Sequence, residues 1–170
     1  MDGEAHFSAE NTISFERQLP CTVTEAWQAV TDPESLGVWF IETRMDFRDG
    51  GRFEFIGAWR GRVADIVPER SVSYVADEGG VTRFEVFARA GGSGVRMTDR
   101  VGPAELPPED HAPPGSFQPG GPGTHWAGVI AGWHGFMDAL VRYLGGDAPT
   151  HAMNALIALY AARLEARGAG

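Results

Sequence analysis

The chain has 170 residues, a net charge of −9 and 14 basic residues, all of them arginine. This length suits one domain with its own core, and the single Cys21 excludes an intramolecular disulfide. The acidic charge without a basic stripe predicts no nucleic-acid partner, and the absence of lysine excludes Schiff-base chemistry and a P-loop.

The first eleven residues (1–11) form an acidic, polar extension. The extension lacks the basic start and apolar centre of a signal peptide, and no stretch of the chain approaches the roughly 18 apolar residues of a membrane span. The lone thiol fits a reducing compartment. The sequence therefore predicts a cytoplasmic protein without a membrane span, and the bias toward Arg, Ala, Gly and Pro fits a GC-rich bacterial genome.

One strand and two short helices are predicted next. Apolar and polar residues alternate over 12–19, which indicates a strand with one inward face. Thr22 or Thr24 can cap the first helix. Pro33 is preset for a first helical turn, so we predict the second helix over 33–40.

Residues 43–101 carry only strand and turn signals. The turns fall at Asp49-Gly50-Gly51, Pro68-Glu69, Glu78-Gly79-Gly80 and Gly91-Gly92-Ser93-Gly94. They separate about six strands, which we expect to pair as a meander.

The segment 102–123 contains seven of the chain's eleven prolines and five glycines. This composition supports neither a helix nor a strand. We predict a long loop, which is either a binding lid or a connector without function.

A long helix is predicted from a Thr124 cap to a glycine end at Gly145-Gly146. One of its faces is apolar throughout and must lie on an apolar surface; that face holds Trp126, Ile130, Trp133, Met137, Leu140 and Leu144. Glycine inside a helix costs about 1 kcal/mol relative to alanine. We therefore interpret Gly128, Gly132 and Gly135 as places where another element makes tight contact.

A second C-terminal helix is predicted after Pro149, with Thr150 as its N-cap. Its apolar stripe consists of Met153, Leu156, Tyr160 and Leu164.

His134 and Asp138 are the catalytic candidates of the long helix. They are four residues apart and share a face, so the carboxylate can orient the imidazole. A hydrogen bond at the edge of the core is the simpler interpretation. His125 and His134 are nine residues apart, lie on opposite sides of the helix and cannot share a metal. We predict no metal site and no cofactor.

Four sequence strings point to a known family: TDPESLGVWF (31–40), DFRDGGRFEF (46–55), GRVADIVPER (61–70) and GWHGFMDAL (132–140). Across residues 12–146 their order and spacing resemble the START-like (SRPBCC) branch named after the activator of heat shock protein ATPase homologue. The resemblance implies an α+β helix-grip fold, a curved antiparallel sheet of about seven strands wrapped around a long C-terminal helix. It also implies that Trp39, the Gly50-Gly51 turn and the Gly132-Trp133 pair determine the fold.

The expected organisation is an N-terminal extension (1–11), a helix-grip domain (12–146) and an additional C-terminal helix (147–170) packed on the same domain. Inward side chains of the sheet and the long helix either fill the space between them or line a cavity. The ligand-binding candidates are Phe15, Arg17, Phe53, Phe55, Phe84, Val86, Met97, Asp99, Trp126, Ile130, Trp133 and Met137.

Arg17 and Asp99 are the charged members of this set. Buried charges persist mainly when they are paired. We therefore predict that Arg17 and Asp99 meet across the first and last strands, either as a structural salt bridge or as the polar anchor of a ligand.

Three functions are consistent with the sequence. We favour binding of a small apolar or aromatic molecule in the cavity, without covalent chemistry, because no nucleophile, metal cluster or carboxylate pair stands out. One alternative is a chaperone-interacting module, which the family's name suggests. The other is a cavity enzyme, a cyclase or hydrolase, that uses His134 and Asp138. The sequence leaves a homodimer open and does not identify the ligand.

Overall fold

The structure is a computed structural model that describes residues 5–8, 12–102 and 124–168. Nearly all of the predicted loop at 102–123 lies outside the described residues, as do the side chains of Thr124 and His125. No helix in these ranges is both long and apolar enough to cross a membrane.

Eight strands and four helices form within the described ranges. They are β1 (His6–Ser8), β2 (Thr12–Leu19), α1 (Val23–Thr31), α2 (Pro33–Trp39), β3 (Thr43–Met45), β4 (Arg52–Phe55), β5 (Arg60–Val67), β6 (Ser71–Ala76), β7 (Val81–Arg89), β8 (Gly92–Arg100), α3 (Thr124–Tyr143) and α4 (Met153–Gly168). The strands make one antiparallel sheet in the order β1-β2-β8-β7-β6-β5-β4-β3. The α+β helix-grip prediction is confirmed, and β1 adds a short edge strand from the predicted extension.

The two short helices begin where their cap residues predict. Thr22 accepts a hydrogen bond from the Glu25 amide and its own amide donates to the Glu25 carboxylate, which makes a capping box on α1. Asp32 caps α2 by accepting a first-turn amide. The buried Trp39 indole donates to the Ala29 carbonyl at 2.8 Å and ties α2 to α1.

The predicted turn between β3 and β4 requires both of its glycines. Gly50 has a φ of +72°, which favours glycine. A Cβ on Gly51 would lie 2.0 Å from the Asp46 carbonyl oxygen, so a side chain is excluded there. The predicted turn at 91–94 is too long, because Gly92 already belongs to the β7–β8 ladder and begins β8.

The core lies between the sheet and α3. All inward candidates from the strands and most of the α3 stripe are buried, and Leu144 is half-buried. Rings from different elements meet here: Phe55 and Tyr74 have centroids 5.3 Å apart, and those of Phe84 and Trp133 are 6.2 Å apart. Interdigitated side chains therefore fill most of the space between sheet and helix.

The glycines of α3 do not have the predicted role. A Cβ on Gly128, Gly132 or Gly135 would meet no further atom of the described chain within 4 Å. The prediction of tight contact at these three glycines is therefore wrong. The missing side chains leave open space instead.

The last helix begins two residues later than predicted. α4 starts at Met153, so Thr150 is not its N-cap. The Arg142 guanidinium donates to the Pro149 carbonyl at 2.6 Å, which holds this stretch beside α3 in a non-helical path. Met153 is 48% exposed, against the prediction. The rest of the predicted stripe, Leu156, Tyr160 and Leu164, is buried, and α4 packs on α3.

Candidate functional site

A pocket lies between α3 and the end of the sheet where β6, β7 and β8 meet. Its volume is about 250 Å³. Three aromatic residues, Trp59, Trp133 and Phe136, contribute to its walls, and Asp99 contributes the one carboxylate among its described lining residues. A cavity of roughly 150 Å³ holds benzene. This pocket is therefore large enough for a single substituted ring.

Two glycines make room for the pocket. Gly128 and Gly132 are four residues apart on α3, share a helix face and line the space. Because a Cβ on either residue would meet no further described atom within 4 Å, the volume next to the helix backbone is open. A side chain at Gly132 would therefore occupy volume that now belongs to the pocket.

Aromatic packing fixes the position of Trp133. The ring of Phe40 stacks on it at a centroid distance of 5.3 Å and an interplanar angle of 16°. Trp59 and Phe136 meet it at 6.2 and 6.0 Å with tilted planes. Neighbouring rings therefore hold Trp133 in place from several sides.

Asp99 is a buried carboxylate held by two neutral donors. The Trp133 indole N–H donates to its Oδ2 at 2.9 Å, and the Thr82 hydroxyl donates to its Oδ1 at 2.7 Å. Thr82 and Asp99 are direct partners in the β7–β8 ladder, so the sheet register sets this contact. The carboxylate is 9% exposed and lies on the pocket wall. Hydrogen bonds of this kind stabilise a buried carboxylate.

The predicted pair of Arg17 with Asp99 is wrong. In the ladder between β2 and β8, Arg17 lies opposite Val95 and Asp99 lies opposite Ile13. Four residues along a strand separate the two positions by about 13 Å. α3 places Asp138 over Arg17 instead, with 2.9 Å between Arg17 Nε and Asp138 Oδ1 and with both side chains at least 93% buried.

Asp138 is the centre of a second group, which we call the polar cluster: Arg17, His134, Asp138, His151 and Tyr160. Asp138 Oδ2 lies 3.2 Å from His134 Nε2 and 3.5 Å from His151 Nε2. His134 Nδ1 lies 2.6 Å from the Tyr160 hydroxyl. The first three residues of the group belong to β2 and α3, His151 to the segment before α4, and Tyr160 to α4. A cleft of about 340 Å³ adjoins Arg17, His134 and Asp138.

The polar cluster keeps Asp138 ionised. Burial by itself would raise the pKa of this carboxyl, but the neighbouring His134 and Arg17 outweigh burial and hold the pKa below its ordinary value of 3.8. Asp138 Oδ2 nevertheless accepts no well-formed hydrogen bond from any described group, although it is buried. Its close neighbours are two imidazole nitrogens, which makes the cluster the place in the described chain where nitrogen and oxygen ligands converge.

The predicted site residues separate into three places. Asp99 and Trp133 line the pocket, whereas Arg17 belongs to the polar cluster. The remaining ligand-binding candidates are buried in the core. The predicted contact of His134 with Asp138 forms, but the two lie along the cleft and not on the pocket. The cavity enzyme required His134 to face the cavity, and this geometry is not found.

Sequence reasoning missed four residues that matter. Trp59 lies in the turn between β4 and β5, and His151 lies in the segment before α4. Neither segment is a helix or a strand, so no periodicity could point to these two residues. Phe136 lies next to the α3 stripe and could be found as a flanking aromatic. Tyr160 is in the predicted α4 stripe, but its hydroxyl partner on another helix has no signal in the sequence.

Comparisons with known proteins agree on the fold. The profile of the family described as "Activator of Hsp90 ATPase homolog 1-like protein" matches residues 20–145. No curated protein is significantly similar in sequence. The crystal structure of CalU16 from Micromonospora echinospora is similar at a TM-score of 0.69 and 18% identity, over 98% of this chain and 98% of that chain.

Two further solved structures support the same conclusion. EF2215 from Enterococcus faecalis, a conserved protein of unknown function, has a TM-score of 0.71 and 17% identity over 95% of this chain and 90% of its own. An AHSA1-like protein from Aeromonas hydrophila has a TM-score of 0.58 and 22% identity over 83% of this chain and 99% of its own. At these identities the likeness establishes the fold alone.

Proposed function

The chain belongs to the Activator of Hsp90 ATPase homolog 1-like family, an AHSA-type branch of START-like proteins, and from this premise we propose a cytoplasmic protein that binds a small aromatic ligand. The ligand occupies the pocket between α3 and the sheet, and it carries one hydrogen-bond-donating or cationic group. Binding involves no covalent step.

Asp99 is the observation that carries this proposal. Its carboxylate lies on the wall of a pocket that is otherwise largely apolar and aromatic. Trp133 and Thr82 hold the carboxylate on the wall of the pocket, and each carboxylate oxygen has two lone pairs that can accept hydrogen bonds. Aromatic faces next to an anion suit a ring that bears an ammonium or hydroxyl group.

The pocket's dimensions support a small ligand. A volume of about 250 Å³ accommodates one substituted ring but not a sterol or a long lipid. The larger inward residues that could have lined a deeper cavity, Phe15, Phe53 and Phe84 among them, are buried within the hydrophobic core. The ligand is therefore limited to the end of the sheet near Gly132.

A chaperone-binding surface has less support. The outer face of the sheet carries Glu16, which forms ion pairs with Arg89 and Arg96. Large exposed apolar residues of the described chain are dispersed over several elements and include Val38, Val67 and Leu159. We therefore keep chaperone interaction as the alternative that the family name suggests, without a site.

The proposal can be tested with three ring compounds that differ in one group: toluene, benzyl alcohol and benzylamine. The Trp133 indole N–H resonance in a ¹⁵N-edited NMR spectrum reports binding, because this N–H donates to Asp99 in the pocket. We expect benzylamine to bind at least about tenfold more tightly than toluene, since a hydrogen bond to a charged group contributes about 1.5–3 kcal/mol. Benzyl alcohol should lie between them.

The variant Asp99→Asn is the matched control. It preserves the shape of the side chain and removes its charge, so the preference for benzylamine should disappear while toluene binds as before. An unchanged preference in a folded Asp99→Asn protein would contradict the proposal. A wild-type protein that binds none of the three compounds would also contradict it.

A further inference from the structure

The polar cluster offers a second site that is independent of the aromatic pocket. The pocket and the adjoining cleft share none of their described lining residues. From the positions of His134, Asp138 and His151 we propose a site for a divalent transition metal such as Zn²⁺, with His134 Nε2, Asp138 Oδ2 and His151 Nε2 as its three protein ligands. The sequence predicted no metal, and the proposal departs from that prediction.

The spacing of the three atoms fits coordination. They all lie within 4.8 Å of one another, and Asp138 Oδ2 is 3.2 and 3.5 Å from the two imidazole nitrogens. Ligand atoms at about 2.0–2.1 Å from zinc in a tetrahedral site are about 3.3–3.4 Å apart. The two distances to the carboxylate already match this value. A modest movement of His151, whose side chain is 33% exposed, would bring the two imidazoles together.

The neighbouring groups leave the correct atoms available. Tyr160 contacts Nδ1 of His134 at 2.6 Å, which orients the ring and points Nε2 at Asp138. Arg17 donates to Oδ1 of Asp138, so the other carboxylate oxygen, Oδ2, is the one that faces the imidazoles. Outer contacts of this kind commonly orient metal ligands.

The surroundings of Oδ2 are a separate observation in favour of a ligand. This oxygen is buried and accepts no well-formed hydrogen bond from the described residues. A buried carboxylate oxygen without a well-formed hydrogen bond carries a desolvation cost. A cation coordinated by Oδ2 and the two imidazoles would compensate for that cost.

The ligand atoms and the nearby charges together indicate which class of metal ion the polar cluster would bind. Arg17 and Arg163 adjoin the same cleft as Asp138 and Asp147, so the site is not strongly anionic. Ca²⁺ and Mg²⁺ prefer several oxygen ligands, whereas imidazole suits Zn²⁺, Co²⁺, Ni²⁺ and Cu²⁺. We therefore expect Zn²⁺ and Co²⁺ to bind and Mg²⁺ and Ca²⁺ to leave the site vacant. A bound ion would join α3 to the segment that precedes α4, with its fourth position open.

The test uses the full chain after treatment with EDTA. Zn²⁺ binding is measured by calorimetry, and Co²⁺ binding by the visible absorption of tetrahedral cobalt. We expect one Zn²⁺ per chain and a rise in Tm with Zn²⁺. The variant His151→Ala, which removes a partly exposed ligand, should weaken Zn²⁺ binding at least tenfold and abolish the rise in Tm. Tyr160→Phe should weaken binding about tenfold, the effect typical of an outer contact.

Two controls exclude adventitious binding. His6→Ala removes a histidine from another part of the sequence, and Cys21→Ser removes the single thiol. Both should bind Zn²⁺ as the wild type does. The proposal is overturned if the wild type does not bind up to millimolar Zn²⁺, if His151→Ala binds as the wild type does, or if either control loses binding.

Discussion

Arg17 contributes to stability and not to the pocket. Its guanidinium neutralises the buried Asp138, and removal of one member of such a pair leaves an unpaired buried charge. We expect Arg17→Met to lower the free energy of unfolding by about 3 kcal/mol. Urea denaturation measures this loss, while the benzylamine affinity of the folded variant should stay unchanged. A tenfold loss of affinity would show that Arg17 acts on the ligand after all.

A double-mutant cycle can measure the coupling free energy between Arg17 and Asp138. Apolar side chains at both positions remove both charges, so Arg17→Met with Asp138→Leu should cost less than the sum of the two single changes. The same denaturation experiment on the four proteins of this cycle gives the coupling. Additive costs would mean that the two side chains act independently.

Glu25 makes the first helix sensitive to acid. Its pKa lies below the ordinary value of 4.5, first because the Thr22 amide donates to its carboxylate and then because the Thr22 hydroxyl does so. A folded pKa below the unfolded one stabilises the protein above the unfolded value, and this contribution is lost as the pH falls through the folded pKa. The wild type should therefore exceed Glu25→Gln in stability near pH 6, and the difference should decrease as the pH falls below the ordinary pKa of 4.5. A difference independent of pH would contradict the capping box.

At the scale of the element, α4 is held by three positions of its stripe. Leu156 is 3% exposed whereas Met153, one turn earlier, is 48% exposed, although the periodicity assigned both to the same face. We expect Leu156→Ala to cost about 3 kcal/mol, the usual loss for a buried leucine. Met153→Ala should stay within about 0.5 kcal/mol. Thermal and urea unfolding of both variants compare them directly, and equal costs would mean that α4 packs in another rotation.

Periodicity predicted the elements well and their ends less well. The 12–19 strand and the α3 stripe follow from side-chain alternation and helical spacing, which local backbone geometry determines. Threonine is a common N-cap residue, so the sequence favours Thr150 as the start of the last helix. In the structure the Arg142 guanidinium donates to the Pro149 carbonyl, and the residues before Met153 are non-helical. A side-chain contact of this kind is not encoded in the spacing of apolar residues, so periodicity does not predict where α4 begins.

At the scale of the molecule, the family and its helix-grip fold could be predicted, whereas the pairing of buried charges could not. The pattern shows that Arg17 and Asp99 both face inward, but their positions along the sheet depend on strand register. Asp138 contacts Arg17 because α3 lies across the sheet at that position. His151 lies in the non-helical segment between α3 and α4, which places it next to Asp138 in the polar cluster. These are properties of the assembled fold and not of any segment.

The pocket itself illustrates the same limit. In the sequence, glycines in a helix suggest close packing, and the structure shows open space at Gly128 and Gly132 instead. A glycine in the sequence is compatible with close packing and with open space, because the position of the neighbouring element determines whether the space is filled. The site therefore depends on what the chain lacks at these positions as much as on Asp99 and Trp133.

Ligand binding in the pocket can be tested by substitutions that fill this space and leave the fold intact. Gly132→Leu places a side chain in the pocket, and Gly135→Leu is its matched control on the same helix, outside the described pocket lining. Both variants should be at least as stable as the wild type, since glycine is disfavoured in a helix by about 1 kcal/mol. The measurement is the benzylamine affinity of all three proteins. We predict at least a tenfold loss for Gly132→Leu and less than a twofold change for Gly135→Leu, and wild-type affinity in a folded Gly132→Leu protein would contradict ligand binding in this pocket.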